Sequence, residues 1–106
     1  MNLAELFRQA NEMQARAKEM QARLAAIEVE GVSGAGLVRV KLNGKSELIE
    51  IAIDPSLLKP DDRITVQDLV VAAHADARVK LERQVADVMK SFAGALGLPP
   101  GLGLPG

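Results

Sequence analysis

The sequence contains no cysteine, a single histidine and only two aromatic side chains, both phenylalanine. Without thiols the chain cannot form disulfides or thiolate metal sites, and one histidine cannot provide a cluster of soft metal ligands. The absence of cysteine is compatible with a reducing cytosol. Because large rings are scarce, the core must be built from alanine, valine, leucine, isoleucine and methionine.

Long apolar runs are absent as well. No stretch approaches the roughly 18 apolar residues that a membrane span needs, and the N-terminus has no basic segment that leads into an apolar one. We therefore expect a soluble, cytoplasmic protein without a membrane partner. The formal net charge of −1 and the pI of about 5.8 argue against a general polyanion binder unless basic side chains cluster locally.

The N-terminal segment carries an unbroken heptad pattern of apolar residues. The positions alternate in steps of three and four: Leu3, Leu6, Ala10, Met13, Ala17, Met20, Leu24 and Ile27. This spacing predicts a helix of about 25 residues, roughly 37 Å long. A small core cannot cover the whole seam, so part of it should meet another helix, in this chain or in a second one.

After Ile27 the apolar period changes to two, which predicts strands. The runs "LVRVKL" and "ELIEIAI" flank Asn43-Gly44, and this pattern predicts a β-hairpin. A hairpin loop of two residues and one of four residues place the same side chains on the same face of the sheet. The pattern therefore leaves both strand registers open. Either one places six aliphatic side chains on one face of the sheet: Val38, Val40, Leu42, Ile49, Ile51 and Ile53. The opposite face receives Arg39, Lys41 and Glu50.

A second long helix should follow a loop marked by Pro60. Thr65 with Asp68 three residues later forms a helix start of the capping-box type. The apolar stripe of this helix comprises Leu69, Val70, Ala73, Ala77, Leu81, Val85, Val88 and Phe92, and the helix should stop near Gly94. We assign residues 1–93 to a single α+β domain and residues 94–106 to a flexible tail rich in glycine, proline and leucine.

The stretch "EGVSGAGLVRV" raises the question of a phosphate-binding loop, because it holds Gly31, Gly34 and Gly36. A dinucleotide fingerprint requires glycines that follow a strand and open a helix. Here the glycines open a strand and their order is G-x-x-G-x-G. We therefore interpret them as a strand turn or bulge, where positive φ or close backbone approach is needed.

The remaining sequence patterns give little indication of a catalytic or cation-binding site. His74 flanks the apolar stripe of the second helix and is interpreted as a packed histidine, since no serine lies in a nucleophile-elbow pattern. Neither the pair Asp61 and Asp62 nor Asp54 has the ligand spacing of a cation-binding loop. We interpret these residues as parts of solvated loops. We predict no catalytic residue, no metal site and no cofactor.

Basic side chains lie on the outward sides of both predicted helices. They are Arg8, Arg16, Lys18 and Arg23 on the first helix and Arg78, Lys80, Arg83 and Lys90 on the second. An ordinary solvated face is one interpretation, and contact with phosphates is the other. Since Phe7 and Phe92 are expected to be buried, stacking on single-stranded bases is disfavoured. Any nucleic acid bound should be a duplex, contacted through its backbone.

Several motifs in order resemble the YbaB/EbfC family of bacterial nucleoid-associated proteins. They are "NEMQARAKEMQ", "EVEGVSGAGLVRVKLNG", "IAIDPSLL", "DLVVAAHADARVK" and "LPPG". The resemblance covers nearly the whole chain. It implies a helix–three-strand–helix protomer, an intertwined, tweezer-like homodimer, and binding to duplex DNA with little sequence selectivity. The heptad seam independently favours a partner helix.

The resemblance also implies site residues. Family DNA contacts on the helical surfaces correspond here to Arg8, Arg16, Lys18, Arg23, Arg78, Lys80 and Arg83. The residues that we assign to the dimer contact are Leu6, Met13, Met20, Leu24, Val70, Ala73, His74 and Ala77.

Two features depart from the family pattern. Where the family reads Ala-Ala-Phe-Asn-Asp-Ala, this chain has His74, so dimer packing there is expected to be looser or pH-dependent. Glu5, Glu12 and Glu19 form an acidic stripe beside the arginines of the first helix. Binding to DNA should therefore be modest and sensitive to salt.

We expect a nucleoid-localised, homodimeric DNA-binding protein without a catalytic step, which organises or compacts the chromosome and influences transcription or recombination repair. The alternative is a dimeric interaction module for recombination or replication proteins, which uses the leucines of the tail. An enzyme that depends on His74 is the third class.

Overall fold

The computed structural model describes residues 2–95 and residue 97. The elements are α1 (Leu3–Ala25), β1 (Glu28–Ser33), β2 (Val38–Asn43), β3 (Leu48–Ile53) and α2 (Arg63–Ala95). This order confirms the predicted α+β protomer with a long helix at each end of a three-stranded antiparallel sheet. Gly94 and Ala95, which the sequence placed in the tail, belong to α2. The rest of the predicted tail, apart from Gly97, lies outside the described residues.

Helix α1 has a capped N-terminus but packs against little of the rest of the protomer. The Asn2 side chain accepts a hydrogen bond from the Glu5 backbone N–H at 2.8 Å, and Arg23 lies in the last turn, where a cation complements the helix dipole. No described residue of α1 is buried. The radius of gyration is 19.8 Å, well above the roughly 13 Å of a compact 100-residue domain. The protomer is therefore elongated, with α1 projecting from the sheet.

The sheet has the strand order β1-β2-β3, and all pairing is antiparallel. Val38 pairs with Ile53 and Val40 with Ile51, which is the register of the four-residue loop. Leu42 pairs with Leu48 instead of Ile49, because a bulge shifts the register at the end of the hairpin. The predicted hairpin is confirmed, and only its last pair differs.

Helix α2 packs on one face of the sheet, across β1 and β2. The core consists of Ile27, Val29, Val38, Val40, Leu42, Ala73, Ala77 and Leu81. The aliphatic side chains of β3 are less covered, and Ile49 and Ile51 are each 44% exposed. One helix is too narrow to cover three strands, so the apolar face of β3 has no cover within the described protomer.

Helix α2 approaches the sheet very closely at Gly31. A Cβ atom added there would overlap the carbonyl oxygen of Ala73 and the amide nitrogen of Ala77. Both alanines are fully buried. Three residues without bulky side chains therefore let the backbone of α2 rest directly on β1.

The other two glycines of the first motif form the turn between β1 and β2. Gly34, Ala35 and Gly36 have φ angles of 59°, 56° and 91°, all in the left-handed region. The segment connects two strands and lies at the start of no α-helix. The interpretation as a strand turn is confirmed.

The predicted start of α2 is wrong by three residues, since a cap at Thr65 places the first helical residue at Val66. The helix begins at Arg63, directly after a single 3-10 turn over Pro60–Asp62, so Thr65 lies inside the first turn instead of capping it. Proline at the first position of the turn presets its φ, and the chain continues from the 3-10 turn into the α-helix without a separate cap.

Substituting Gly31→Ala should destabilise the protomer by about 3 kcal/mol or more, because α2 must move away from β1 to admit the methyl group. The measurement is urea unfolding followed by circular dichroism. Gly94→Ala is the matched control, since that glycine lies in α2 with nothing within 4 Å of an added Cβ. The control should be neutral or stabilising by up to about 1 kcal/mol. Equal destabilisation by both substitutions would contradict this account.

Candidate nucleic-acid interface

The free edge of β1 is closed by side chains of α2. The Val32 backbone N–H donates to the Asp76 carboxylate at 2.9 Å. The Lys80 ammonium donates to the Glu30 carbonyl oxygen at 2.9 Å and pairs with Asp76 at 2.9 Å. An open strand edge exposes unpaired backbone groups, and these contacts satisfy two of them. Lys80, a predicted phosphate contact, is therefore already engaged within the protomer.

These contacts also set the ionisation of Asp76. Hydrogen bonds from the Val32 N–H and the Lys80 ammonium, with a further contribution from Arg83, lower the pKa of Asp76 below its usual value. A carboxyl group with a depressed pKa contributes stability above its unfolded pKa and loses that contribution as the pH falls through the folded pKa. The closure of the β1 edge is therefore strongest at neutral pH.

A groove between α1 and the last turns of α2 brings two of the predicted DNA contacts together. Arg16 and Arg23 lie two turns apart on α1 and line a small cavity of about 60 Å³ with Ser91 and Phe92 of α2. The Arg16 guanidinium lies 3.5 Å from the carbonyl oxygen of Ala95. The helices run antiparallel here. Glu19 of α1 lines the same cavity, so the two guanidinium charges of α1 exceed the single carboxylate charge beside them.

The arginines of α2 lie nearer the sheet. Arg78 pairs with Glu82 at 3.7 Å, and both side chains are more than half exposed. Such exposed pairs contribute at most about 1 kcal/mol, so Arg78 can exchange its partner for a phosphate. Arg83 is exposed, and residues 2–95 provide it with no ion pair. It lies five residues before Val88, which lines the cavity of Arg23, a separation of roughly 7.5 Å along the helix.

Arg8 and Lys18 are both exposed on α1. Lys18 lines a larger groove with Lys45, which lies between β2 and β3. Lys45 was not among the predicted DNA contacts, because a turn residue has no helical period that would assign it to a face. Its place beside Lys18 becomes visible only when the hairpin is folded against α1.

One expectation about aromatic residues is wrong. Phe7 was expected to be buried, but its side chain is 62% exposed, whereas Phe92 is half-buried. The seam of α1 meets α2 only from about Arg16 onward, since Ala95 lies beside Arg16 at the end of α2. One turn earlier, Met13 still lines a cavity with Ala95, whereas Leu3, Leu6 and Phe7 are 68%, 49% and 62% exposed.

The residues predicted for the dimer contact have different environments. Leu6 and Met13 are 49% and 59% exposed on α1. Four others, Met20, Leu24, Val70 and His74, are half-buried. The remaining two, Ala73 and Ala77, are 0% exposed, because they pack against β1. These two alanines belong to the core of one protomer, which differs from the contact that the sequence predicted.

The described residues form neither a metal-binding cluster nor a membrane-spanning helix. Within residues 2–95 and 97, no group of three or more histidine, cysteine or acidic side chains is placed to hold a metal ion. In the same part of the chain, neither helix is long and apolar enough to cross a membrane.

The geometry defines a class: an elongated helix–antiparallel sheet–helix protomer that exposes basic side chains on both helices. The chain belongs to the YbaB/EbfC DNA-binding family, whose sequence profile matches residues 1–96. This confirms the resemblance seen in the motifs. The family and the names of the relatives indicate a DNA-binding protein and not an enzyme.

Similar proteins carry consistent names. A protein named nucleoid-associated protein from Rhodopseudomonas palustris (strain BisB5) is 52% identical over 99 residues, which cover 93% of each chain. A nucleoid-associated protein of Granulibacter bethesdensis is 49% identical over 104 residues, covering 98% of this chain and 97% of the relative. The crystal structure of the uncharacterized protein HP0035 from Helicobacter pylori superposes with a TM-score of 0.70 at 24% identity. That match covers 89% of this chain and 99% of the other, and it supports the fold.

Replacing Asp76 by asparagine should lower the thermal midpoint at pH 7, because the Lys80 ammonium and the Val32 N–H lose their anionic acceptor. The difference from the unsubstituted protein should shrink as the pH falls below about 4, since Asp76 is then increasingly protonated in the unfolded chain and later in the folded one. Differential scanning calorimetry between pH 3 and 8 measures this. Asp87→Asn, at an exposed position of α2, is the control and should show no such trend. A pH-independent difference for Asp76→Asn would contradict the assignment.

Proposed function

We propose that this chain acts as a homodimeric nucleoid-associated protein that binds the phosphate backbone of duplex DNA with little sequence selectivity. The observation that carries the proposal is the placement of two arginines, the half-buried Arg16 and the exposed Arg23, along the α1–α2 groove in a member of a DNA-binding family. Arg16, Arg23 and Arg83 can donate to phosphate oxygens, and neutralised phosphates release counterions. The names of the relatives support a location in the nucleoid.

The position of the arginines, between two packed helices, supports low selectivity. Sequence is read by bidentate amide or guanidinium contacts to base edges, presented by an element that enters a groove of the duplex. Arg16, Arg23 and Ser91 line a shallow cleft between two helices and are suited to backbone contact. Arg8, Lys18 and Arg78 extend the basic surface, whereas Lys80 is held by Asp76 and Glu30 and is a weaker candidate.

The proposed dimer follows from the apolar surface that one protomer leaves uncovered. Ile49 and Ile51 lie on the same side of the sheet as the core, yet α2 does not cover them. The exposed part of the α1 seam includes Leu6 and Met13. A second copy that covers both surfaces would remove large apolar side chains from water, at about 25 cal/mol per Å² buried. Two DNA-binding surfaces in one dimer would then bridge or compact DNA through bivalency.

The DNA-binding test is charge reversal at Arg23 and Arg83 together, measured by fluorescence anisotropy of a 30-base-pair duplex between 50 and 200 mM salt. If each arginine neutralises one phosphate, the substitutions remove about four phosphate interactions from a dimer, and the slope of log affinity against log salt should fall by about 3 to 4 units. Affinity at about 100 mM salt should fall at least tenfold.

The control is charge reversal at Lys59 and Arg63, which changes the net charge equally but lies near the start of α2. It should retain most of the affinity and the salt slope. If Arg23→Glu/Arg83→Glu binds as tightly as the unsubstituted protein while remaining folded, the proposed surface is wrong. A protein that dimerises but binds no duplex at 50 mM salt would favour a module for recombination or replication proteins.

The dimer test uses the two faces of β3. Ile51→Lys places a charge on the uncovered apolar face and should shift the species seen by sedimentation velocity from dimer toward monomer. Ala52→Lys is the control, because Ala52 pairs with Arg39 on the opposite, charged face of the sheet. A monomeric unsubstituted protein at tens of micromolar, or equal effects of the two substitutions, would contradict the proposed interface.

A further inference from the structure

A groove lies where the C-terminal end of α1 meets the turn between β2 and β3. It has a volume of about 540 Å³ and is lined by Lys18, Gln21, Ala22, Leu24, Ala25, Gly44 and Lys45. Among the residues that the structure describes, no acidic side chain lines it. Its polar side chains are two ammonium groups and one amide, and the rest of the lining is apolar. The groove is therefore suited to an anion carried on a larger, partly apolar framework.

The turn that carries Lys45 is held in one conformation. The Asn43 side-chain oxygen accepts hydrogen bonds from the backbone N–H groups of Lys45 at 2.9 Å and Glu47 at 3.0 Å. The Ser46 N–H donates to the Asn43 carbonyl oxygen at 3.0 Å, and Ser46 adopts a φ of 64°. Side-chain bonds of this kind fix tight turns. The backbone of Lys45 is thus positioned before any ligand arrives.

The turn is also pressed against α1. A Cβ atom added to Gly44 would overlap the carbonyl oxygen of Leu24. Only glycine admits this approach, which sets the distance between the hairpin and the helix. Lys45 consequently lies across the groove from Lys18 because of the fold itself, and not because of a flexible loop.

The lysines of the groove differ from three of the four other lysines of the protein. Lys41, Lys59 and Lys80 pair with carboxylates at 3.3, 3.6 and 2.9 Å. Within residues 2–95, no carboxylate lies within ion-pair distance of Lys18 or Lys45. The nearby Glu47 carboxylate accepts a hydrogen bond from the Asn43 amide at 3.1 Å. Both ammonium groups are therefore available to an external anion.

The C-terminus of α1 opposes an anion with about half a negative charge. Two ammonium groups outweigh it. The carbonyl oxygens of Ala22 and Leu24 also accept hydrogen bonds from the N–H groups of Ala26 and Ile27, at 3.1 and 3.2 Å. The helix end is thus partly neutralised on the side that borders the groove.

We propose that Lys45 and Lys18 together bind a backbone phosphate of duplex DNA in this groove, so that the DNA-binding surface extends from the helices onto the hairpin. This inference rests on the proposed function. A phosphodiester fits better than a free nucleotide, because the described residues of the lining include no aromatic ring to stack a base. The apolar part of the lining accommodates a sugar edge, and the lysines do not read sequence.

The test is Lys45→Gln, which removes the charge but keeps a polar side chain, in the same anisotropy titration from 50 to 200 mM salt. Removing one phosphate interaction from each protomer should lower the salt slope by about 1.8 units per dimer, and affinity at about 100 mM salt should fall about fivefold or more. Lys18→Gln should behave alike, and Lys45→Arg should restore binding. Lys59→Gln is the control, since Lys59 is paired with Asp62 in a surface loop, and it should bind like the unsubstituted protein.

Circular dichroism establishes that each variant folds. The inference is overturned if Lys45→Gln keeps the native affinity and slope while Arg23→Glu/Arg83→Glu loses binding. That result leaves the proposed function intact and confines the surface to the helices. If the unsubstituted protein binds no duplex, the proposed function fails, and the assignment of a phosphate to this groove fails with it.

Discussion

The direct contact between the backbones of β1 and α2 at Gly31 determines most of the architecture. Because Gly31, Ala73 and Ala77 carry little or no side chain, the helix lies closer to the sheet than larger residues would allow. At this distance Asp76 and Lys80, on the flank of the helix, reach the open edge of β1. The same placement centres α2 on β1 and β2 and leaves the apolar face of β3 uncovered.

This arrangement divides the charged residues into two groups. One group is used inside the protomer: Asp76 and Lys80 close the strand edge, and two cross-strand pairs, Glu30 with Arg39 and Lys41 with Glu50, occupy the outer face of the sheet at 3.3 Å each. The other group, on the helices and the hairpin turn, faces outward. A chain with a net charge of −1 can thus present a basic surface locally, since several of its acidic groups are paired elsewhere.

Periodicity predicted the elements well because it reports which residues share a face. The heptad spacing located α1, and the alternation from Val38 to Ile53 predicted the hairpin and most of its register. Periodicity does not report whether another element covers that face. Phe7 was therefore expected to be buried, yet α2 ends before reaching it. Ala73 and Ala77 were assigned to a partner, yet their small size serves the contact with Gly31.

The candidate site was less predictable for the same reason. Arg16 and Arg23 could be selected from the sequence because a helix repeats every 3.6 residues. The engagement of Lys80 with the Glu30 carbonyl joins residues 50 positions apart, and no local pattern signals it. Lys45 acquires its position from the contact of Gly44 with Leu24, which is a tertiary feature.

The exposure of α1 links the two parts of the proposed function. A helix of 23 residues with no buried side chain draws little stability from tertiary packing, and isolated helices are marginal in water. The same helix carries Arg8, Arg16, Lys18 and Arg23. If a second copy covers its apolar seam, dimerisation fixes the helix that presents these cations, and DNA bound to the paired helices in turn favours the dimer by mass action. Dimerisation and DNA affinity should therefore change together, and a substitution that weakens the dimer contact alone should also weaken binding to DNA.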